Sequence, residues 1–155
     1  MAHIHEKIDF TASVYIVRHN KVLLHMHKSL NIWLPPGGHI ELDEDPNEAA
    51  IREAKEETGL DIELIGESRE YKTNPYHARD LVVPRFLNRH LIDKTSGHEH
   101  VDMVFFARAP KGEAKHEVAG AEVRWFTKDD IERNGEGIVE DVQAHALKAL
   151  AELAD

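Results

Sequence analysis

The chain has 155 residues, 41% of them hydrophobic, which is about one domain's worth and enough to bury a core, and it contains no cysteine. That excludes a disulfide framework, a thiolate metal site and a cysteine nucleophile, and it makes a reducing compartment, the cytoplasm, the expected home. A formal net charge of -10 opposes nucleic-acid backbones and anionic lipid, so a polyanionic substrate would need a cation between itself and the protein.

The opening MAHIHEKIDF lacks the apolar stretch of a secretory leader, and no run approaches the roughly 18 apolar residues of a membrane span, so neither targeting nor anchoring is expected. Strand-like segments follow at 10–18 (FTASVYIVR) and 21–27 (KVLLHMH), with His19 and Asn20 between them as a tight hairpin turn. A loop with a turn at 35–38 (PPGG) leads to a helix at 46–58. Further strands are expected at 61–68, 84–92, 101–108 and 121–127, and the stretches 69–83 and 109–120 read as the most mobile loops. Near the end, Thr127 caps a short helix in KDDIERN. A last helix then sets Ile138, Val142, Leu147 and Leu150 near helical spacing. Strands and helices mix along one α/β domain, 1–155, without repeats or linkers.

The segment from Gly37 to Leu60 concentrates charge. Glu41, Asp43, Glu44, Asp45, Glu48, Glu53, Glu56 and Glu57 face only Arg52 and Lys55 as strong bases. Asp45, Pro46 and Glu48 occupy the N-cap, N1 and N3 positions of a capping box, and Gly59 falls where a left-handed C′ residue ends a helix. At about 100° per residue, Glu53, Glu56 and Glu57 share a sector beside one formed by Ala50, Ile51 and Ala54 that can pack on a sheet. Like charges three and four residues apart destabilise a helix by a few tenths of a kcal/mol per pair, and a divalent cation would remove that penalty. Oxygen donors suit a hard ion, Mg²⁺ or Mn²⁺, that arrives with substrate phosphates. An ordinary solvated acidic face is the plain alternative.

The wider spacing decides between them. Gly38 is followed after five residues by Glu44 and, seven residues later, by Arg52-Glu53-Ala54-Lys55-Glu56-Glu57-Thr58-Gly59-Leu60. This resembles the Nudix box, G-x5-E-x7-R-E-U-x-E-E-x-G-U with U apolar, at every position. Residue types used at about 5–7% each would give such a match by chance on the order of once in 10⁷ chains. The box covers 23 of 155 residues, while the preceding strands, LPPGG and the late RWF strand are similar to the family's surroundings in outline.

The resemblance implies a Nudix-type α/β/α sandwich with a mixed β-sheet. It also implies Mg²⁺- or Mn²⁺-dependent hydrolysis of a nucleoside diphosphate linked to another moiety, by water attacking phosphorus. By box position, Glu53, Glu56 and Glu57 would hold the metal, with Glu53 or Glu57 as the water-activating base. Arg52 would orient a catalytic carboxylate through a bidentate pair. Gly37 and Gly38 would form a tight loop bringing a backbone carbonyl to the metal, and Glu44 would brace loop and helix. A further acid ahead of the late aromatic strand falls on Glu117, in a glycine-containing loop, rather than Glu122, which belongs to the strand; a solvated loop acid is the plain reading of Glu117.

The implied partner is a small nucleotide-type molecule. It could be a nucleoside triphosphate, a nucleotide sugar or a dinucleoside polyphosphate, and a homodimer stays open. A catalytically silent nucleotide-sensing module is the competing function, which the intact acid set opposes. Isoprenoid diphosphate isomerisation, performed by relatives of the fold with an essential cysteine, is excluded by composition. The pairs His25/His27 and His98/His100 each point to one side of a strand and, lacking a third ligand at defined spacing, read as surface or packing residues. Trp125 and Phe126 read as core. Tyr71, Tyr76, Arg85 and Phe86 are explained as loop or core.

Overall fold

The structure is a computed structural model that describes residues 3–118, 120–133 and 137–155. Strands β1 (Ile8–Arg18) and β2 (Lys21–His27) form the expected hairpin, with Arg18 opposite Lys21. His19 and Asn20 have φ of 48° and 58°, the two left-handed positions of a type I′ turn, whose twist matches that of antiparallel strands.

Beyond two residue pairs the hairpin splays. The freed edge of β1 is taken by β4 (Gly37–His39), with Thr11 opposite His39 and Ser13 opposite Gly37, while β3 (Ile32–Leu34) takes the edge of β2 that β1 leaves, with Leu34 opposite His25. The segment read as a loop with a glycine turn therefore contains two short strands. Gly37 and Gly38 are not in a tight loop, and neither has a positive φ.

The chain continues through α1 (Pro46–Thr58), β5 (Glu63–Leu64), β6 (Phe86–Asp93), β7 (His98–Arg108), β8 (Val123–Thr127), α2 (Lys128–Glu132) and α3 (Glu140–Glu152). β7 runs parallel to β1 over nearly its whole length, from Ile8 beside Glu99 to Val17 beside Arg108. β6 and β5 share its other edge, and β8 pairs with β2. One parallel pair among antiparallel ones makes the sheet mixed. The strand expected at 61–68 shrinks to two residues because β6 occupies most of the β7 edge that it would need.

Successive residues of a strand point to opposite faces, and both faces here are covered. Val14, Ile16, Leu23 and Phe105 pack with Ala49, Ala50 and Ala54 of α1. Tyr15, Val17, Leu24 and Phe106 pack with Ile131 of α2 and Val142, Ala146 and Leu150 of α3. This is an α/β/α sandwich.

The caps of α1 match expectation. Asp45 accepts from the Glu48 backbone N–H, Glu48 reaches back to the Asp45 N–H, and Gly59 ends the helix at φ 75°. The buried face does not match. Ile51 is 44% exposed, and the stripe that meets the sheet runs through Ala49, Ala50, Glu53 and Ala54, so Glu53 sits within it rather than on a neighbouring sector. Small alanines let the helix lie close to the sheet, and that closeness brings its carboxylates against the backbone of β4.

The connection at 69–83 is tied down. Glu70 and Arg79 form a β-bridge, and the Asn47 side chain bonds both the N–H and the C=O of Val82, at 2.8 and 3.0 Å. Among the described residues no helix is long and apolar enough to cross a membrane.

Candidate active site

Arg52 organises the acidic edge. Its Nε and Nη2 donate to the two carboxylate oxygens of Glu44 at 2.9 and 2.6 Å, Nη1 donates to Glu53 at 2.9 Å and Glu56 at 3.2 Å, and Nη2 also reaches the His39 carbonyl at 3.0 Å. The bidentate partner is thus Glu44, and the carboxylates expected to hold metal receive single bonds. The Arg52 bonds hold the Glu44 carboxyl below the usual carboxylate range. Glu44 fixes the guanidinium to the loop before α1, and the guanidinium in turn fixes Glu53.

Glu53 and Glu57 lie one turn apart beneath the helix, Glu53 being only 8% exposed. Glu57 accepts from the Gly37 N–H at 3.0 Å and stands 3.0 Å from His25 Nε2. Burial pushes its carboxyl up to about 8; the Gly37 N–H opposes this, while a hydrogen bond to Glu53 and the charges of Glu53 and Glu117 add to it. Two acids pressed together in a partly dry site need a proton or a cation between them. Arg52 serves Glu53 and not Glu57, so Glu57 is the one driven to carry the proton.

Gly38 permits the arrangement. A Cβ there would overlap the Glu53 carboxylate, and one on Gly37 would come within 2.5 Å of the Ala12 carbonyl across the β1–β4 ladder. Glycine is required here by the close approach of Glu53 and of β1 to a strand.

Sequence reasoning missed His116, and it read His25 as a surface or packing residue. His25, Glu57 and His116 bring one potential ligand atom each within 4.8 Å of one another. Burial, with His116 nearby, lowers His25 to about 4, so it is a neutral imidazole at ordinary pH. No spacing rule links residues 25, 57 and 116; only the placement of α1 and of the loop before β8 does. Glu117 follows His116 and is close enough to raise Glu57 electrostatically, whereas Glu122 is exposed beside β8. Glu56 stays at the rim, its side chain half exposed.

Beside Gly37 and Gly38 opens a cleft of about 740 Å³, whose walls include Thr11, Ser13, Tyr15, Asn88, His90, Asp102 and His145. Thr11 and Ser13 hydroxyls donate to the Asp102 carboxylate at 2.8 and 2.6 Å, which fixes one polar wall. The volume suits a nucleotide-sized molecule. Tyr71, Tyr76, Arg85 and Phe86 do not line it.

The sequence model of the NUDIX domain matches residues 8–147. The chain belongs to the NUDIX family. A crystal structure of a NUDIX-family hydrolase from Clostridium perfringens is 36% identical, covers 94% of this NUDIX chain and 97% of its own, and superimposes with a TM-score of 0.80. An Ap4A hydrolase from C. elegans shares the fold at 18% identity, covering 93% and 96% of the two chains with a TM-score of 0.63. An m7GpppN-mRNA hydrolase from Xenopus laevis is 44% identical over 64 residues, 37% of this chain and 22% of that protein. An RNA pyrophosphohydrolase from a Marinomonas strain is 52% identical over 42 residues, 25% of this chain and 26% of that protein. The chain thus matches only about a quarter of the length of these curated relatives.

Proposed function

We propose that this NUDIX chain, as a single domain spanning 1–155, hydrolyses a nucleoside diphosphate linked to another moiety by water attack on phosphorus, with Mg²⁺ or Mn²⁺. The observation that carries the reading is the Glu53–Glu57 pair held between Arg52 and the glycine strand, with one carboxyl driven up to about 8.

The residues fit a hard divalent cation. Its ligands would be Glu53, Glu56 and Glu57, a backbone oxygen of Gly37 or Gly38, and Glu117 from the loop before β8. When bound, the ion supplies neutralisation of the diphosphate oxygens and a lowered pKa for attacking water. The protein's own part is positioning. Arg52 fixes Glu53 through its Nη1 bond, being itself locked by Glu44. Glu57, set beside Glu53 and held by the Gly37 N–H, would accept the proton of the attacking water. Gly38 keeps space at Glu53, and the cleft beside it receives the nucleotide end of the substrate. The names of the relatives, an mRNA cap hydrolase, an RNA pyrophosphohydrolase and an Ap4A hydrolase, support a phosphoanhydride substrate and leave nucleoside triphosphate, nucleotide sugar and dinucleoside polyphosphate as the classes to screen. Lack of cysteine fits work in the cytoplasm.

A nucleotide panel run in ¹⁸O-water with Mg²⁺ tests the reaction. The label is expected in one phosphorus-containing product. Label found only on carbon would overturn phosphoryl attack, and binding without turnover across the panel would favour a sensing module.

Mg²⁺ or Mn²⁺ should also raise the thermal midpoint, because the unfolded chain lacks the assembled edge. At about 100 times Kd the gain is about 2.7 kcal/mol, or on the order of 5–10 °C for a domain of this size. The Glu53→Gln, Glu56→Gln double variant should lose most of that gain; an equal response would show that the cation binds elsewhere.

A further inference from the structure

A second cluster of ligand-type side chains lies on the face of the sheet opposite α1, around a carboxylate that the proposed hydrolysis does not use. Asp9, on β1, is 0% exposed. Its Oδ1 accepts the His5 N–H at 2.6 Å, and its Oδ2 accepts the Ile4 N–H at 3.1 Å and stands 2.9 Å from His39 Nε2. The parallel register sets Asp9 beside His100, and His98, two residues earlier on β7, points to the same face. His3 Nδ1 approaches the same Oδ2 at 3.6 Å from the segment before β1, its ring stacked on that of His98.

His98 is decisive. It is 1% exposed, and its Nδ1 lies 2.9 Å from the Glu6 carbonyl oxygen, which can only accept, so Nδ1 carries the hydrogen. In the neutral ring Nε2 is then a bare lone pair. It is aimed at Asp9 Oδ2 from 3.3 Å and makes no hydrogen bond among the described residues. The buried Nε2 of His100 likewise has no hydrogen-bond partner among them. Acceptors facing a buried carboxylate are unfavourable unless something positive lies between them.

We propose that His3, Asp9, His98 and His100 form a second metal centre, for one transition-metal ion of the Zn²⁺ class. The four ligand atoms already lie within 4.8 Å of one another. Tetrahedral Zn²⁺ with bonds of about 2.0–2.1 Å separates its ligands by about 3.3 Å, which the His98–Asp9 distance matches and the His3–Asp9 distance nearly does. Three imidazole nitrogens and one carboxylate oxygen suit Zn²⁺ and its neighbours and disfavour Mg²⁺. Four protein ligands close the sphere, so the centre is structural. It fastens residues 3–7 to the starts of β1 and β7, with the Glu6 carbonyl orienting His98 and His39 steadying Asp9 from outside. His3, His39 and His100 also border the cleft, so the bound ion stiffens one of its walls. The proposal is independent of the hydrolytic reading.

Co²⁺ titration of the chelator-stripped full chain, in millimolar Mg²⁺, tests it. One equivalent should bind with the intense visible absorption of tetrahedral Co²⁺, and Zn²⁺ should displace it at one ion per chain. His3→Ala removes a half-exposed side chain outside the regular elements and should leave the fold intact by circular dichroism. It should weaken Co²⁺ binding by on the order of a hundredfold, at least as much as losing an outer-shell partner does. His100→Ala should do the same, whereas His116→Ala should leave the signal unchanged. Absence of a stoichiometric tetrahedral signal in the wild-type chain would overturn the centre, since a proton on His98 would then suffice. A signal that survives His3→Ala and His100→Ala but is lost in His116→Ala would move the ion to the His25–Glu57–His116 cluster and equally overturn it.

Discussion

Glu57→Gln is expected to lower turnover by on the order of a hundredfold or more while making the metal-free protein more stable at pH 8. The two effects have one cause. The folded-state pKa of Glu57, about 8, lies above the ordinary 4.5, so folding favours the protonated acid. That contribution is fully present below pH 4.5 and is lost as pH rises through the window from 4.5 to 8. Over the full window the loss is on the order of a few kcal/mol. The substituted amide keeps the size of the side chain and can still accept the Gly37 N–H, but it never ionises. The thermal midpoints of wild type and Glu57→Gln should therefore coincide near pH 4.5 and separate steadily towards pH 8 in chelator. Saturating Mg²⁺ should reverse the order, because only the wild type retains the ligand. A folded variant with near-normal turnover would remove Glu57 from the reaction; midpoints that stay parallel across the whole range would show that Glu57 ionises freely.

The carboxylate edge was legible in the sequence because it is built within one helix, and a helix converts spacing into position without help from the rest of the chain. Asp45, Pro46, Glu48 and Gly59 fixed its ends to the residue. The I′ turn at His19 and Asn20 was legible for the same local reason. What failed depends on long-range contact. β3 and β4 are three residues each, too short to show alternation, and β4 exists only because β2 leaves the edge of β1 open at Thr11 to Ser13. Ile51 was placed inside because three apolar residues suggested a face, whereas the close fit to β4 rotates the buried stripe towards Glu53. The histidine pairs take their partners from distant chain or from neighbouring turns. His25 and His27 share a side of β2, yet the partner of His25 is Glu57 and that of His27 is Ser29. His98 and His100 gain a carboxylate and a third imidazole from chain some ninety residues earlier, through the parallel β1–β7 register that no local pattern encodes.

The glycine pair separates folding from chemistry. In Gly37→Ala the new methyl meets the Ala12 carbonyl oxygen at 2.5 Å and the Ser13 Cα at 2.8 Å, both backbone atoms of the central strand. These cannot yield without breaking the β1–β4 pairing, so overpacking should cost about 1–3 kcal/mol or more and lower the midpoint by several degrees. In Gly38→Ala the three atoms nearest the methyl are all at the carboxylate end of Glu53, which can swing away on its own flexible stem. The fold should survive with a midpoint within a few degrees of wild type. Glu53 would then leave its 2.9 Å bond to Arg52 and its place opposite Glu57. A displacement of about 1 Å in a positioned group costs on the order of a hundredfold in rate, so turnover should fall by about that factor, with weakened Mg²⁺ binding beside it. The expected pattern is thus crossed, with Gly37→Ala failing in the melting curve and Gly38→Ala failing in the assay. A Gly38→Ala protein with normal turnover and normal Mg²⁺ response would mean that Glu53 works equally well elsewhere, and that the close approach of helix to strand is only packing.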